Sequence, residues 1–379
     1  MVKRIGLALS GGGVRAMIFH AGVLQWLAQS ALLEQVVAIS SVSGGSLFTG
    51  LVYRFNGWKW PTSHRYLTHV LPHLRELLTT VCLEREARRL LLGRPANWRY
   101  LFSRANVLAD AINRTWGVDI TVDALDSACD WSINGTTAET GRRFRFKRGR
   151  CGDYLTGYAS ASAFPLAAAM AASAAYPLLI GPLRLDATQF QWFRRPDWGG
   201  SEQDETPVAP AHRTLHIIDG GVYDNLGMEP LFDTGTRTLK SGIDFLVVSD
   251  AGAPFRRRSL QAQWNPARVA RILEISMDQS RALRVRPYVN AIIDSPTLGR
   301  YYQIGSNPEE SLSRLGGGDR QAAPTEAWLS DLQVKGAAGW ATDLKKVKPE
   351  VFDLIARHGF ETAEWNEILF SEKASASLN

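Results

Sequence analysis

Cysteine is scarce in this chain: Cys82, Cys129 and Cys151 are the only three in 379 residues. They are odd in number and lack the close spacing of metal ligands. This excludes a disulfide framework and a structural zinc site, and points to a reducing compartment. No internal repeat is evident, which excludes a solenoid or propeller. A membrane-spanning run is missing as well. The longest uncharged stretch, 154–183, is mostly alanine and serine and is broken by Pro165, Pro177 and Pro182. It predicts a packed internal helix flanked by loops. The start, MVKRIGLALSGGG, has basic residues before apolar ones, but the apolar run is short and ends in glycines, so export is not expected.

What is present is the composition of a soluble globular protein with a substantial core: 45% hydrophobic and 21% charged residues. The length allows one large α/β domain with insertions or two ordinary domains. A net charge of +6 suggests affinity for anionic surfaces, either nucleic acid or acidic lipid headgroups, and composition does not choose between them.

The N-terminal part alternates: a strand over 4–10, a glycine loop, a helix over about 14–28, a strand over 36–41 and a helix over about 44–55. Such alternation predicts a parallel sheet covered on both faces. Residues 57–125 turn arginine-rich and helical, and read as an insertion or cap. WSINGTTAETGRRFRFKRGR predicts two strands around a turn at Thr140-Gly141. A loop rich in aromatics and prolines follows at about 186–213. TLHIID and DFLVVSD read as buried strands, each ending on an aspartate, Asp219 and Asp250. NPARVARILEISMDQSRAL predicts an amphipathic helix capped by Asn265 with Pro266 in its first turn. Residues 305–324 read as a loop and 371–379 as a disordered tail, leaving 1–370 as a single domain.

Three stretches carry chemistry. In LALSGGGVRAM, Gly11, Gly12 and Gly13 sit between strand and helix, where amide N–H groups and the helix N-terminus suit an anion, either a phosphate or a developing oxyanion. Gly11, Gly13 and Ala16 satisfy the dinucleotide fingerprint. However, the second strand ends in Ser40-Ser41 with no acid for a ribose, and the Lys-Ser/Thr ending of a phosphate loop is missing. The oxyanion reading fits better. In AISSVSGGSLFTG, Ser43 lies where a strand turns into a helix. That is the position of a nucleophile elbow, and equally of an ordinary helix cap. The match to G-x-S-x-G departs at its first position, where Ser41 stands for glycine.

A serine nucleophile needs a base. His358, in PEVFDLIARHGF, is the one histidine in the order of a Ser-Asp-His triad. It reads as a residue of the last helical turn, stopped by Gly359, with Asp250 as the acid to consider beside it. Asp219, in HIIDGGVYDN, ends an apolar strand before two glycines and faces the same carboxyl edge as Ser43. An Asx-type turn is the ordinary alternative.

SGGGVRAM, SVSGGS and DGGVYDN, in that order, resemble the patatin-like phospholipase family, with its glycine-rich oxyanion loop, G-x-S-x-G and D-G-G/A; the form S-G-G-G-x-R-A is also similar to the catalytic domain of cytosolic phospholipase A2. The likeness touches most of the chain and is patchy over 57–125 and 186–213. It implies a three-layer α/β/α sandwich with a mainly parallel central sheet, and a Ser-Asp dyad without histidine. Ser43 would be nucleophile, Asp219 base, Gly11, Gly12 and Gly13 the oxyanion hole, and Arg15 a group that stabilises an oxyanion or lipid phosphate. No cofactor or metal is implied, and no calcium loop or lipid-targeting C2-like domain is evident.

The expected activity is hydrolysis of phospholipid acyl esters by a cytoplasmic protein in transient peripheral contact with a membrane, with no nucleic acid partner and with gating by a partner, ligand or oligomer. Lysophospholipid or neutral-lipid hydrolysis is the nearest alternative, and an inactive lipid-binding scaffold comes from another class. The loop 189–200, with Phe190, Trp192, Phe193 and Trp198 beside Arg194 and Arg195, is the expected lipid contact. Arg143, Arg145 and Lys147 alternate with Phe144 and Phe146, so one face of that strand should be basic.

Overall fold

The structure, a computed structural model, describes residues 3–196, 202–262, 264–308 and 328–376. The predicted alternation is present as β1 (Ile5–Leu9), α1 (Gly13–Gln29), β2 (Val36–Val42) and α2 (Gly44–Phe55). All five residues of β1 are buried, as in a strand covered on both faces. Its side chains divide by parity: Leu7 and Leu9 enter one core, Ala8 the other.

Five strands run parallel in the order Gly299–Gln303, Phe245–Asp250, β1, β2 and β3 (Asp130–Thr137). From β3 the sheet continues antiparallel through β4 (Arg142–Lys147) to the short strands Trp192–Arg194 and Thr206–Val208. The segment 186–213 therefore extends the sheet. On one face lie α1, α2, the helix Leu166–Ser173 and the helix Pro349–Ala376, around the larger core. On the other, Tyr288, Ala291 and Ile292 of the long helix Pro266–Asp294 pack on Leu246 and Val248. This is the expected three-layer α/β/α sandwich.

One local irregularity of the sheet shapes the rest of the molecule. The pairing of β2 with β3 stops at Val42 opposite Asn134, because the chain leaves the sheet there for α2. The vacated edge of β3 is taken by Thr214–Asp219, which runs antiparallel, Ile217 opposite Thr137 and Asp219 opposite Gly135. The last residue of this strand thus arrives beside the point where β2 ended. Asp219 reaches the carboxyl edge of the parallel strands from the opposite direction to that expected.

Helices Leu71–Thr80, Leu83–Gly93 and Ala105–Trp116 occupy the arginine-rich region and bury Leu74, Leu78, Leu83 and Ile112 in the larger core. The alanine-rich helix is confined to Leu166–Ser173, bounded by Pro165 and by the turn before Pro177. Gly359 does not stop its helix, which runs on to Ala376, past the expected start of a tail at 371. Its role is packing: a Cβ there would lie 2.2 Å from the Phe19 carbonyl oxygen, and one at Gly22 would lie 1.8 Å from that of Ala356. The two helices cross at these glycines, and His358 is in mid-helix. Among the described residues, no helix is long and apolar enough to cross a membrane.

Candidate active site

Ser43 occupies the turn between β2 and α2 with φ 51° and ψ −119°. A non-glycine residue held there stores about 1–3 kcal/mol, so its surroundings must impose it. Its amide donates to Ser173 Oγ at 2.9 Å, and its carbonyl accepts from the amides of Ser46 and Leu47. The elbow is also too tight for side chains after it: a Cβ at Gly44 would sit 2.4 Å from the Gly13 carbonyl oxygen, and one at Gly45 2.3 Å from that of Leu9. The Ser43 hydroxyl does not cap α2; it faces the Asp219 carboxylate and helps to draw that group's pKa down.

Behind the elbow runs a buried chain of hydroxyls. The Trp131 indole N–H meets Ser41 Oγ at 2.8 Å, Ser41 meets Ser46 at 2.8 Å, Ser46 meets Ser173 at 2.8 Å, and Ser173 donates to the Asn134 carbonyl at 2.6 Å. An indole can only donate and a carbonyl only accept, so every proton in the chain points from Trp131 toward Asn134. Ser173 Oγ is thereby left to accept the Ser43 amide. Ser41, the departure from G-x-S-x-G, is a link in this chain, and its carbonyl accepts from Asn134 Nδ2 at 2.9 Å.

Asp219 is buried. Its Oδ1 accepts the Gly221 amide at 2.7 Å, and no cation pairs with it among the described residues. Burial pushes its pKa up to about 6, against the opposing pull of the hydrogen bonds from Gly221 and Ser43. The Asp219 amide donates to the Ala175 carbonyl at 3.0 Å and that of Gly220 to the Ser173 carbonyl at 3.3 Å. Ser173 therefore holds both halves of the site, the elbow through its hydroxyl and the aspartate loop through its carbonyl.

The glycine loop completes the site. Gly12 (φ 150°) and Gly13 (φ 61°) adopt conformations that side chains disfavour, and their amides meet no acceptor among the described residues. Gly11 differs from expectation. Its amide is spent on the Asn225 carbonyl at 3.0 Å, and it matters as an absence, since a Cβ there would lie 3.0 Å from Ser43 Cβ. Asn225, whose Oδ1 faces both Gly11 and Gly221, joins the two glycine turns.

Two other expectations, for Arg15 and for Trp192, are corrected. Arg15 is buried and turned onto backbone, its Nε and Nη2 donating to the Ala251 carbonyl at 3.3 and 3.1 Å and its Nη1 to that of Trp340 at 2.7 Å. A lipid phosphate would have to displace these carbonyls; the side chain ties the glycine loop to two neighbouring segments. His358 accepts the Gly305 amide through Nε2 at 2.8 Å, and burial draws its pKa down to about 4. Asp250 is bound by Arg281 at 2.5 Å, so no Ser-Asp-His triad forms. In the aromatic loop, Trp192 is 1% exposed and donates its indole N–H to the Ala187 carbonyl at 2.8 Å, making it a core anchor. Trp198 lies outside the described residues. The basic strand face is partnered in part: Lys147 meets Asp130 at 2.5 Å, and Arg145 lies over the Tyr158 ring.

Ser173 and Asn225 were not singled out from sequence. Ser173 had a usable signal, because it is the one polar residue in the helix LAAAMAAS, and a hydroxyl in an apolar buried helix must find a partner.

Comparison with known proteins gives the following. A family model described as patatin-like phospholipase matches residues 7–232. No curated protein sequence matches the chain. Among solved structures, human GIVD cytosolic phospholipase A2 aligns with TM-score 0.54 at 15% identity over 97% of this chain and 59% of its own. The same human enzyme in complex with methyl gamma-linolenyl fluorophosphonate aligns with TM-score 0.50 at 15% identity over 99% and 59%. This chain thus spans 59% of the length of those enzymes, and at such identity the likeness is one of fold.

Proposed function

Because the chain belongs to the patatin-like phospholipase family, we propose that it is a lipid acyl hydrolase working through a Ser43–Asp219 dyad. The observation that carries this reading is the approach of the Ser43 side chain, on a strained strand–helix turn, to a buried aspartate with which no cation pairs among the described residues. Asp219 accepts the Ser43 proton as Oγ attacks the ester carbonyl. The negative charge on the carbonyl oxygen is met by the free amides of Gly12 and Gly13 at the N-terminus of α1. Asp219 then returns the proton to the departing alcohol, leaving an acyl group on Ser43. A water, deprotonated by Asp219, releases the fatty acid. A carboxylate pKa near 6 favours this work, since a general base is most effective when its pKa lies close to the operating pH.

The substrate class is the acyl ester of a membrane phospholipid. The test is incubation with phosphatidylcholine and phosphatidylglycerol vesicles, lysophosphatidylcholine and triacylglycerol, with released fatty acid measured by mass spectrometry. Labelling by a fluorophosphonate is run in parallel. Fatty acid release from diacyl phospholipid that is lost with Ser43→Ala supports the reading. Release from lysolipid or triacylglycerol alone moves the substrate class. Absence of labelling and of release from all of them leaves a lipid-binding scaffold.

A further inference from the structure

The first half of the long helix Pro266–Asp294 is built inside out. Its inward side carries charge: Arg281 is bound to the buried Asp250 at 2.5 Å, and Arg271 is itself buried and paired at 3.2 Å with the half-exposed Glu274. Its outward side carries Val269, Ile272 and Ile275, which are 57%, 51% and 38% exposed and share one helical face. Just before the helix, Trp264 is 91% exposed. The amphipathic helix predicted from sequence is present, but here its polarity is reversed. Only from Val285 onward does it turn apolar residues into the core. Apolar area left in water forgoes about 25 cal/mol per Å² of burial, and a contiguous exposed patch marks a contact surface.

The opposite, inward side of the helix adjoins the proposed site. Met277, on the inward side, lies against Gly221, the residue whose amide holds Asp219. The carboxylates of Glu274 and Asp219 both act on the Tyr176 phenol, and the turn after Tyr176 exposes Leu178 and Leu179. The loop leading into the helix is tethered to it and carries exposed Arg256, Arg257 and Arg258, with Arg268 in the first turn.

We infer that the first half of the helix Pro266–Asp294, with Trp264 and the arginine loop before it, docks on an anionic lipid surface. Aliphatic and indole groups bordered by guanidinium groups match the acyl boundary of a bilayer and the phosphates at its rim. The inference rests on the lipid-hydrolase reading for its purpose, and moves the lipid contact from the loop 189–200 to this helix.

The test is co-sedimentation of the whole chain with vesicles of equimolar phosphatidylcholine and phosphatidylglycerol. The variants are Trp264→Ser and the pair Ile272→Gln with Ile275→Gln, all at exposed positions. Each apolar side chain removed should weaken binding roughly tenfold. Vesicle hydrolysis should fall in parallel, while fluorophosphonate labelling and hydrolysis of a short water-soluble ester stay unchanged. High salt, or vesicles of phosphatidylcholine alone, should weaken binding of the unaltered chain. Unchanged vesicle binding by the variants would overturn the inference. So would loss of self-association in sedimentation velocity with vesicle binding intact, which would assign the face to a second copy. A chain that binds vesicles through these residues but neither labels nor hydrolyses any ester would sink the enzymatic reading and leave the docking surface standing.

Discussion

Asp219 and Asp250 end two buried strands of the same sheet, and their immediate settings are alike. Each is followed two residues later by a glycine whose amide donates to its Oδ1, at 2.7 Å from Gly221 and 3.0 Å from Gly252. Their second oxygens meet different worlds. Asp250 Oδ2 receives the Arg281 guanidinium at 2.6 Å and the Tyr301 hydroxyl at 2.5 Å. Asp219 has the Ser43 side chain beside it and no cation among the described residues, and burial raises its pKa to about 6. One aspartate is a neutralised structural anchor; the other is a buried carboxylate able to take a proton. The same local motif acquires its chemistry from what faces it.

Exchanging what the two aspartates can do gives the strongest test. Ser43→Ala and Asp219→Ala should each reduce ester hydrolysis by at least about 10²–10⁴-fold, and the double variant hardly further, because the two side chains act as a unit. In the unaltered chain, kcat/KM should rise through a limb near pH 6 as Asp219 ionises. Asp250→Asn should leave activity per folded molecule within a few-fold. A thousandfold fall there would erase the distinction.

Stability should show the opposite ranking. Asp250→Asn strands the Arg281 guanidinium and should cost about 3–5 kcal/mol in chemical denaturation. Asp219→Asn should stabilise. A carboxyl whose folded pKa is raised to about 6 from 3.8 is penalised when ionised. The penalty is complete above pH 6 and relieved as pH falls toward 4. At pH 8 the asparagine variant should be more stable by about 2–3 kcal/mol, an advantage that fades by pH 4. Comparing the two proteins at each pH cancels the buried His20 and His358, whose lowered pKa values act in the other sense, with stability lost as pH falls from 6.5 toward 4. Equal stability of the two proteins at pH 8 would mean that Asp219 is not held charged against its burial.

A smaller effect is expected at Ser173, which holds the two segments of the proposed dyad. Ser173→Ala leaves the Ser43 amide without its acceptor and breaks the hydroxyl chain. It should lower kcat about tenfold with KM little changed. It should also raise the apparent pKa of the activity limb, because a displaced Ser43 no longer favours the ionised aspartate. Loss of stability with kcat and that limb unmoved would make Ser173 a packing residue only.

Much of this site was legible in one dimension. The glycine loop, the serine elbow and the strand-end aspartate announce themselves because tight turns, close backbone approach and apolar strands each demand particular residues at short spacing. Pattern alone also gave the parallel core of the sheet and the cap of the long helix, where Asn265 accepts the Ala267 amide at 2.9 Å. Where a side chain points across the fold was not legible. Arg15 follows the glycine loop as a phosphate-binding arginine would, yet it is turned onto the Ala251 and Trp340 carbonyls by segments far away in the chain. Trp192 stands in a run that reads as a lipid anchor, and the sheet draws it into the core.

By itself, then, the sequence determined which residues could turn, cap, donate and titrate, since these properties belong to a residue and its near neighbours along the chain. Only the tertiary structure decided that Thr214–Asp219 would fill the edge β2 vacates, that Arg281 would go to Asp250 and not to Asp219, and that the long helix would turn Arg271 and Arg281 inward. Those outcomes depend on the desolvation of charge and on contacts between distant segments, and neither exists until the chain has folded.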